Sequence, residues 1–408
     1  MKVLIVNKFL HTVGGSETYC FALEKVLKKN GHEVVWFSMA DERNEKRNGE
    51  KFFVKNIDYR TRNPFKKMKY AAKYLYSFEA KRKIARLIDS EKPDIVHFNL
   101  VHHQLTLSIV PVIRKRKIPI VWTLHDLIGI CPNYMMLNHG KICNDCPLHG
   151  NFRPCVKNAC VQESRLKSLL AYVEATNYKR MKVYDKIDAY IVPSRFYLDK
   201  YGESRFTEKT MIHIPNLLDP DTEYGCSDER SGYVLYFGRL SKEKGIKTLI
   251  KACVKENKEL WIAGKGALEK EIRSAFKEEI EKGNVRLLGF KKGEELKDLI
   301  KKAKCVVLPS EWYENGPYAI MEAMSEGTPV IVSNQGGLPE MVEDEINGKI
   351  FQYGNEDHLA QAIRWIFGLS EEKYRDMCQN ASRLAREKFD ANRYYLRLIA
   401  LYEELVKC

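Results

Sequence analysis

The sequence lacks an apolar run of the roughly 20 residues that a membrane-spanning helix requires. The apolar stretch Val3-Leu4-Ile5-Val6 is followed directly by Asn7 and Lys8, which makes it too short for the core of a secretory signal. Low-complexity segments and internal repeats of roughly 20 to 50 residues are also missing, which excludes solenoids and propellers. We therefore expect a globular chain that stays in the cytoplasm.

The sequence has fewer acidic than basic residues. It contains 54 Asp and Glu and 68 Lys and Arg, which gives a formal net charge of +14 at pH 7. A positive excess favours an anionic partner, and nucleic acid, a phosphate-bearing substrate and an anionic membrane surface all meet that requirement. The remaining composition, 44% hydrophobic and 30% charged, is that of a globular protein. A chain of 408 residues is too long for one hydrophobic core, so two domains are expected.

Short β-rich runs alternate with longer helical patterns along most of the chain, as in parallel sheets flanked by helices. The predicted strands are 2–7, 34–37, 95–98, 120–124 and 187–192 in a first series, and 233–237, 259–263, 285–288, 305–308 and 330–332 in a second. The Pro-containing, acidic stretch 212–231 is predicted to be a linker. We therefore expect an α/β protein with doubly wound domains at 1–211 and 232–386, followed by a helix in 387–408.

Two cations lie in the loop that follows the first strand of the second series. Gly238-Arg239 and Lys244-Gly245 lead from this strand into a helical pattern. A helix N-terminus flanked by Arg and Lys suits a pyrophosphate, and it can neutralise charge on a leaving nucleotide diphosphate. The alternative interpretation is a basic, solvated loop.

Two glutamates, Glu314 and Glu322, lie eight residues apart around a Gly-Pro turn. The first is predicted in a loop, where a carboxylate can hold sugar hydroxyls, and the second in the following helix, where it can accept both ribose hydroxyls. Glycine loops at Gly264-Lys265-Gly266 and Gly336-Gly337 follow neighbouring strands. Such loops at the carboxyl ends of parallel strands are typical ligand sites.

These motifs together resemble the retaining glycosyltransferase family 4. In the second half the resemblance rests on Gly238-Arg239, Lys244-Gly245, the Glu314 to Glu322 spacing, and Glu322-Ala323-Met324 running to Gly327-Thr328-Pro329-Val330. In the first half it rests on Gly14-Gly15-Ser16-Glu17, His125-Asp126, Pro193-Ser194-Arg195-Phe196 and Pro215-Asn216. It implies the GT-B architecture, two Rossmann-like domains facing across a cleft, with the acceptor mainly on the N-terminal domain, the donor mainly on the C-terminal domain, and the last helix crossing back.

The resemblance also implies residue roles. Arg239 and Lys244 would contact the donor diphosphate, Glu322 the ribose, and Glu314 the transferred sugar, while Gly15 and His125 would lie near phosphate and sugar. The catalytic candidates are accordingly His125, Arg239, Lys244 and Glu314, and further donor contacts are expected at Gly264, Gly316, Tyr318 and Ala319. The donor would be a UDP- or GDP-sugar, and the acceptor a saccharide or a lipid-linked saccharide in cell-surface polysaccharide or glycolipid synthesis.

One departure from the family pattern concerns the donor loop, where Gly316 and Pro317 replace the usual Phe and Gly. Pro317 has no N–H to offer a sugar hydroxyl, so the sequence names no single donor. The resemblance implies catalysis without a metal. Asp219-Pro220-Asp221 has a metal-type spacing but falls in the predicted linker, where it is interpreted as a turn. The predicted mechanism is substitution on one face of the sugar, with the departing phosphate assisting removal of the acceptor proton.

Five of the eleven cysteines fall between positions 131 and 160, close to His139 and His149. Their Cys-x2-Cys spacing is typical of a structural zinc site, with free thiols and an iron–sulfur cluster as alternatives. The resemblance favours Cys131, Cys143, Cys146 and Cys160 as ligands over Cys155.

The stretch 60–86 interleaves Lys and Arg with aromatic residues on a predicted helix. It predicts either peripheral contact with an anionic membrane or a helix packed on the sheet with one solvated face. Two other functions compete with glycosyl transfer. One is a nucleotide-sugar epimerase of the same architecture, and the other is a zinc-containing nucleic-acid-binding protein.

Overall fold

The computed structural model describes residues 1–57, 61, 63–226 and 230–407. The chain forms two compact units, Met1–Pro220 together with Ala391–Cys408, and Asp221–Asp390. The continuous part of the first unit ends at Pro220. The residue before it, Asp219, still contacts this unit, because its carboxylate forms an ion pair with Lys25 at 2.6 Å. Among the helices of the described ranges, none combines the length and apolar character needed to cross a membrane.

The first 220 residues alternate strands and helices. The strands are β1 (Lys2–Val6), β2 (Glu33–Phe37), β3 (Met39–Ala40), β4 (Val54–Lys55), β5 (Ile95–Phe98), β6 (Ile120–Thr123), β7 (Leu137–Asn138), β8 (Lys141–Ile142), β9 (Ala189–Val192) and β10 (Thr210–His213). The helices are α1 (Gly15–Lys29), α2 (Pro64–Leu75), α3 (Phe78–Glu91), α4 (Val110–Lys115), α5 (Asp145–His149), α6 (Arg153–Lys157), α7 (Arg165–Arg180) and α8 (Arg195–Glu203).

The second unit repeats the alternation. Its strands are β11 (Val234–Phe237), β12 (Leu260–Ala263), β13 (Val285–Gly289), β14 (Cys305–Leu308), β15 (Val330–Ser333) and β16 (Gly348–Phe351). Its helices are α9 (Ile246–Lys255), α10 (Glu269–Ala275), α11 (Lys277–Glu281), α12 (Gly293–Lys302), α13 (Tyr318–Ser325), α14 (Glu356–Phe367) and α15 (Glu371–Phe389). The last helix, α16 (Ala391–Lys407), belongs to the first unit.

Each unit is built on a six-stranded parallel sheet. The order is β10-β9-β6-β5-β1-β2 in the first and β13-β12-β11-β14-β15-β16 in the second. Residues Val3 to Val6 of β1 are completely buried, because helices cover both faces of such a sheet. The strand order reverses beside β1 and beside β11, and ligands of open α/β sheets bind at the carboxyl ends of the strands at such points. The predicted fold class, with two Rossmann-like α/β units, is confirmed.

Several predicted boundaries are wrong in detail. The predicted linker 212–231 begins inside β10, because Ile212 and His213 pair with β9. The predicted final helix from 387 is divided, since α15 continues to Phe389 and Asp390 adopts an extended conformation before α16 begins. The predicted helix in 60–86 is two helices, because the Ser77 hydroxyl accepts a hydrogen bond from the Ala80 N–H at 3.1 Å and starts α3. The start of that stretch, Arg60, lies outside the described residues.

Candidate functional site

Two loops meet at the point where the strand order of the second sheet reverses. The neighbouring strands β11 and β14 run parallel, so their carboxyl ends share one edge. The chain leaves β11 into the loop 238–245 and leaves β14 into the loop 309–317. Arg239, Lys244 and Glu314 therefore come from loops at the same edge.

Glycines allow these loops to approach closely. Gly245 has φ of 65°, and a Cβ there would lie 2.0 Å from the Pro309 carbonyl oxygen. Gly264, after β12, faces the Gly238 carbonyl oxygen, which a Cβ would approach to 1.9 Å. Neither position accepts a side chain without moving the backbone. The predicted donor residue Gly264 thus holds the loop after β12 against the start of the loop after β11.

A buried ion pair joins the two loops. The Lys244 ammonium nitrogen lies 2.6 Å from Glu314 Oε1, and the side chains are 14% and 6% exposed. Trp312 Nε1 donates to the same oxygen at 2.8 Å, and the Ser310 hydroxyl donates to it as well. The ammonium also lies 5.3 Å from the centroid of the Trp312 ring. The structure thus brings Lys244 and Glu314 into contact. The sequence prediction that both bind one ligand requires the two side chains to be close to each other.

The surroundings of Glu314 decide its charge. Burial alone would raise the pKa of its carboxyl, but the charge of Lys244 and the hydrogen bonds from Lys244, Ser310 and Trp312 lower the pKa below its ordinary value. The backbone is equally fixed, because the Gly337 N–H donates to the Glu314 carbonyl at 2.8 Å. Glu314 is therefore an ionised carboxylate whose side chain and backbone are both held by hydrogen bonds.

Arg239 lies in the same loop in a different setting. Its guanidinium is 59% exposed and pairs with Glu243 Oε1 at 2.9 Å. The Ser241 hydroxyl donates to that same carboxylate oxygen at 2.6 Å. Arg239 does not contact the Lys244–Glu314 pair in this arrangement, so it offers an exposed cation beside a buried one.

The helix α13 follows the Glu314 loop. Gly316 turns the chain with φ of 73°, Pro317 is the N-cap, and Tyr318 and Ala319 form the first turn. The backbone N–H groups of a first helical turn have no partner within the helix and favour an anion. One turn later comes Glu322, whose pKa burial raises to about 7. Among the described residues, its carboxyl makes no hydrogen bond or ion pair.

The first unit places Gly15 and His125 at the carboxyl ends of its own sheet. Gly15 begins α1, and the Glu17 carboxylate accepts a hydrogen bond from the Gly14 N–H at 2.9 Å. His125 follows β6, and its Nε2 is hydrogen-bonded to Asn99 Oδ1 at 2.8 Å. Burial lowers the pKa of His125 to about 3, so the imidazole is neutral at physiological pH.

A buried hydroxyl network lies behind His125, and the sequence reasoning missed it. The Tyr19 ring meets the His125 ring edge-on, with centroids 4.8 Å apart. The Tyr19 hydroxyl is hydrogen-bonded to Thr123 Oγ1 at 2.9 Å and to the hydroxyl of Tyr394 in α16. Thr123 Oγ1 lies 2.7 Å from His97 Nε2, and the other ring nitrogen of His97 is bonded to the hydroxyl of Tyr402. Helix α16 thereby reaches the elements that position His125.

This network predicts a stability change. Replacing Tyr19 with Phe keeps the ring beside His125 but leaves the Tyr394 and Thr123 hydroxyls with one partner fewer. We expect the Tyr19→Phe protein to lose about 1 to 3 kcal/mol of unfolding free energy in the first unit. Urea unfolding followed by tyrosine fluorescence measures the change.

The control is Tyr395→Phe, which removes a hydroxyl of α16 bonded to the half-buried His32 at 2.8 Å. A surface change of this type is expected to stay within about 0.5 kcal/mol. Equal losses in the two variants would show that the buried network contributes nothing beyond a surface hydrogen bond.

The cysteine-rich segment brings its five thiols to one place. Cys131, Cys143, Cys146, Cys155 and Cys160 line a single cavity, and all five are free thiols. Within the described residues, no group of three or more metal-ligating side chains stands in the arrangement of a metal site. The zinc ion therefore stays a prediction.

Comparison with known proteins identifies the family. The family description "Glycosyltransferase Family 4" matches residues 13–222, and "Glycosyl transferases group 1" matches residues 225–384. An uncharacterized glycosyltransferase of Methanocaldococcus jannaschii is 26% identical over 399 residues, which cover 96% of this chain and 94% of that protein. The amylovoran biosynthesis glycosyltransferase AmsK of Erwinia amylovora is 34% identical over 140 residues, which are 32% of this chain and 34% of AmsK.

Solved structures share the fold. Sucrose-phosphate synthase from Thermosynechococcus elongatus superposes with a TM-score of 0.72 at 19% identity, covering 99% of this chain and 98% of that one. Anabaena HepE in complex with UDP-glucose gives 0.68 at 18% identity, covering 99% and 100%. With both family descriptions matched along the chain, this protein belongs to glycosyltransferase family 4 and has the GT-B fold.

Proposed function

We propose that this glycosyltransferase takes a sugar from a nucleotide-diphosphate sugar and transfers it, with retention of the anomeric configuration, to a saccharide or lipid-linked saccharide. The observation that carries the proposal is the Lys244–Glu314 pair, which lies at the strand-order reversal of the second sheet beside the N-terminus of α13. A cation, a carboxylate and the N-terminus of a helix together match the phosphates and hydroxyls of a sugar nucleotide.

Each part of the donor has a candidate partner in this unit. Lys244 and Arg239 supply positive charge for the diphosphate, whose negative charge grows as the sugar leaves. Glu314 has one oxygen occupied by Lys244, Ser310 and Trp312, and its other oxygen accepts hydroxyls of the transferred sugar. Glu322 accepts the ribose hydroxyls, as acidic residues do in other nucleotide folds.

The proposed reaction proceeds on one face of the sugar. The bond from the anomeric carbon to the phosphate oxygen breaks, the acceptor oxygen attacks from the same face, and the departing phosphate takes the acceptor proton. His125 is neutral, so it acts as a hydrogen-bonding group and not as a cation. The Asn99 amide nitrogen beside it is buried and has no partner among the described residues, which favours a polar ligand there. No step of this scheme requires a metal ion.

The reported relatives support the nucleotide and the pathway class. Anabaena HepE was solved in complex with UDP and glucose, and AmsK is described as an amylovoran biosynthesis enzyme. We infer a UDP- or GDP-sugar donor and a role in polysaccharide or glycolipid synthesis. The epimerase and nucleic-acid-binding alternatives gain no support from the reported matches.

A panel of UDP- and GDP-sugars tests the proposal. Because a ligand that binds the native state alone stabilises it, the correct donor should raise the melting temperature in proportion to the logarithm of its concentration. Proton NMR of the transfer product then reads the anomeric configuration. Stabilisation by no sugar nucleotide, or a product with inverted configuration, would contradict the proposal.

The raised pKa of Glu322 predicts a pH-dependent affinity for UDP. Below pH 7 the carboxyl carries its proton, and above pH 7 it is a carboxylate that accepts both ribose hydroxyls. We expect the association constant for UDP to rise about tenfold between pH 6 and pH 8, as the ionised fraction does. Isothermal titration at the two pH values measures it.

The matched variant for this titration is Glu322→Gln, which cannot ionise. Protonation of UDP itself affects both proteins equally. The difference between their pH dependences of UDP affinity therefore reports the ionisation of Glu322. An equally steep pH dependence in Glu322→Gln would rule out the assigned contact.

A peripheral membrane contact is the second part of the proposal. On α2, Phe65 is 78% exposed and Met68 is 70% exposed, although both are large and apolar. The exposed residues Lys66, Lys67 and Lys69 lie between and beside them. Apolar side chains inserted among cations are typical of a helix that binds an anionic lipid surface.

This surface predicts binding to vesicles. The protein should sediment with phosphatidylcholine vesicles that contain phosphatidylglycerol, and less so as salt is raised. The Phe65→Ser/Met68→Ser variant should bind about tenfold more weakly or worse, because two apolar side chains no longer enter the lipid. Phe290→Ser is the control, since Phe290 is 60% exposed in the other unit. Equal binding of both variants would exclude α2 as the contact.

A further inference from the structure

The cysteine cavity is small, and five of its nine lining residues are cysteines. Its volume is about 10 Å³, which is close to one water-sized sphere. Besides five cysteines it is lined by Leu137, Pro147, Pro154 and Asn158. Neither His139 nor His149 lines the cavity, and His149 Nδ1 is hydrogen-bonded to the Asp145 carbonyl at 2.7 Å. The cavity therefore offers sulfur as its ligand chemistry.

Local backbone structure brings these cysteines together from positions far apart in the segment. The hairpin of β7 and β8 turns at His139 and Gly140, both with positive φ, and the Cys143 N–H then donates to the Met136 carbonyl at 2.8 Å. Cys146 lies in α5. The Cys160 N–H donates to the Cys155 carbonyl at 3.1 Å and closes the turn after α6. Every cysteine position is thus fixed by backbone hydrogen bonds or a helix.

The segment has little else to hold it. Its buried apolar cluster comprises Cys146, Phe152, Cys155 and Ala175, so two of the four members are themselves cysteines. Such a small core buries too little apolar surface to fix a segment of this length. The five reduced thiols that line the cavity are therefore available to stabilise the segment in addition to its apolar packing.

The five thiols are not equivalent. Cys155 is 1% exposed and packs in the apolar cluster, whereas Cys143 is half-buried at the end of the hairpin. Cys155 is the least exposed of the five, so we assign it to apolar packing, although it lines the cavity with the other four. In the part of the chain that the structure describes, the side chains as they stand do not form a metal-ligand set, so binding an ion requires them to move closer together.

We propose that Cys131, Cys143, Cys146 and Cys160 bind one zinc ion in this cavity. Four thiols lose their protons to solvent and bind the ion as thiolates in tetrahedral geometry, with no change of oxidation state. The ion joins the hairpin, α5 and the turn after α6, which packs on α7. Its role is to hold the segment that follows the His125 loop.

The test is metal analysis of the full-length protein, purified without chelators. Mass spectrometry should find about one zinc ion per chain. A mercurial reagent that modifies the thiols should release that zinc to a colorimetric chelator. This measurement uses the unmodified protein, so it does not depend on whether variants fold, and it is independent of turnover.

Variants then assign the ligands. Cys143→Ser/Cys146→Ser should lose the zinc, while Cys155→Ser and the buried control Cys253→Ser should keep it. Absence of zinc, even after incubation with zinc chloride, would overturn the site, and so would iron in its place. Loss of zinc from Cys155→Ser with retention in the double variant would overturn the ligand set.

Discussion

Replacing both Arg239 and Lys244 with alanine is expected to lower the turnover number by about a hundredfold or more. The two cations act on charge that grows in the transition state, so the loss should fall mainly on turnover and less on the KM for the donor. Lys244 should account for most of it, because it is buried against Glu314, whereas Arg239 is 59% exposed. Initial rates with the donor found in the nucleotide-sugar panel measure both parameters.

The matched control removes two other lysines of the same unit. Lys247 and Lys251 lie on α9, and both form exposed ion pairs, with Glu271 and with Glu356. The Lys247→Ala/Lys251→Ala protein has the same change in net charge and should keep its turnover number. A similar loss in both double variants would indicate a general electrostatic effect, and near-normal turnover in Arg239→Ala/Lys244→Ala would refute the assigned role.

Breaking the Lys244–Glu314 pair on one side only is expected to destabilise the second unit strongly. Lys244→Met leaves a buried carboxylate without its cation, and Glu314→Gln leaves a buried ammonium without its anion. Each should cost roughly 3 to 5 kcal/mol of unfolding free energy. Calorimetry of the unfolding transition of this unit gives the value.

The double variant Lys244→Met/Glu314→Gln separates pairing from simple loss of contacts. It buries no uncompensated charge, so its destabilisation should be well below the sum of the two single values. The exposed Lys251–Glu356 pair provides the comparison, with an expected coupling of about 0 to 1 kcal/mol. Additive losses at Lys244 and Glu314 would show that the two side chains do not depend on each other.

The location of the loops that carry Arg239, Lys244 and Glu314 could be predicted from the sequence because it follows from local patterns. Continuous apolar runs such as Val3 to Val6 indicate strands buried on both faces, and the residues after each strand then share one sheet edge. Arg239, Lys244 and Glu314 were placed in this way. Their pairing could not be predicted, because Lys244 and Glu314 are 70 residues apart and meet only through the strand order.

The hydrogen-bond donors to Glu314 are indicated only weakly by the sequence. Ser310, Trp312 and Glu314 are spaced two residues apart in the loop after β14, and the Ser310 and Trp312 side chains both reach the Glu314 carboxylate. This spacing is visible in the sequence, but only the folded structure shows that Ser310 and Trp312 both donate to one carboxylate oxygen of Glu314.

The final helix shows where helical periodicity misleads. Apolar spacing alone predicts that its aliphatic residues are buried, but Leu396 is 65% exposed in α16. The buried side instead carries Tyr394, Leu398 and Tyr402. Tyrosine buries its hydroxyl only where a partner exists, and those partners, Tyr19 and His97, are more than 300 residues away. No local pattern could have indicated them.

For the cysteines, in contrast, a local sequence pattern did predict which residues lie together. Their density in the segment predicted that they lie together, and the structure places all five on one cavity. Which four would act as ligands depends on the burial of each cysteine, which spacing does not determine.

The central claim is that Arg239, Lys244, Glu314 and Glu322 converge on one sugar nucleotide, and a crystal structure of this protein with UDP tests it most directly. The account predicts the diphosphate within hydrogen-bonding distance of Lys244 and Arg239, at the N-terminus of α13, and the ribose hydroxyls on the Glu322 carboxylate. UDP bound elsewhere, or bound with Lys244 and Glu322 contacting no part of it, would contradict the account.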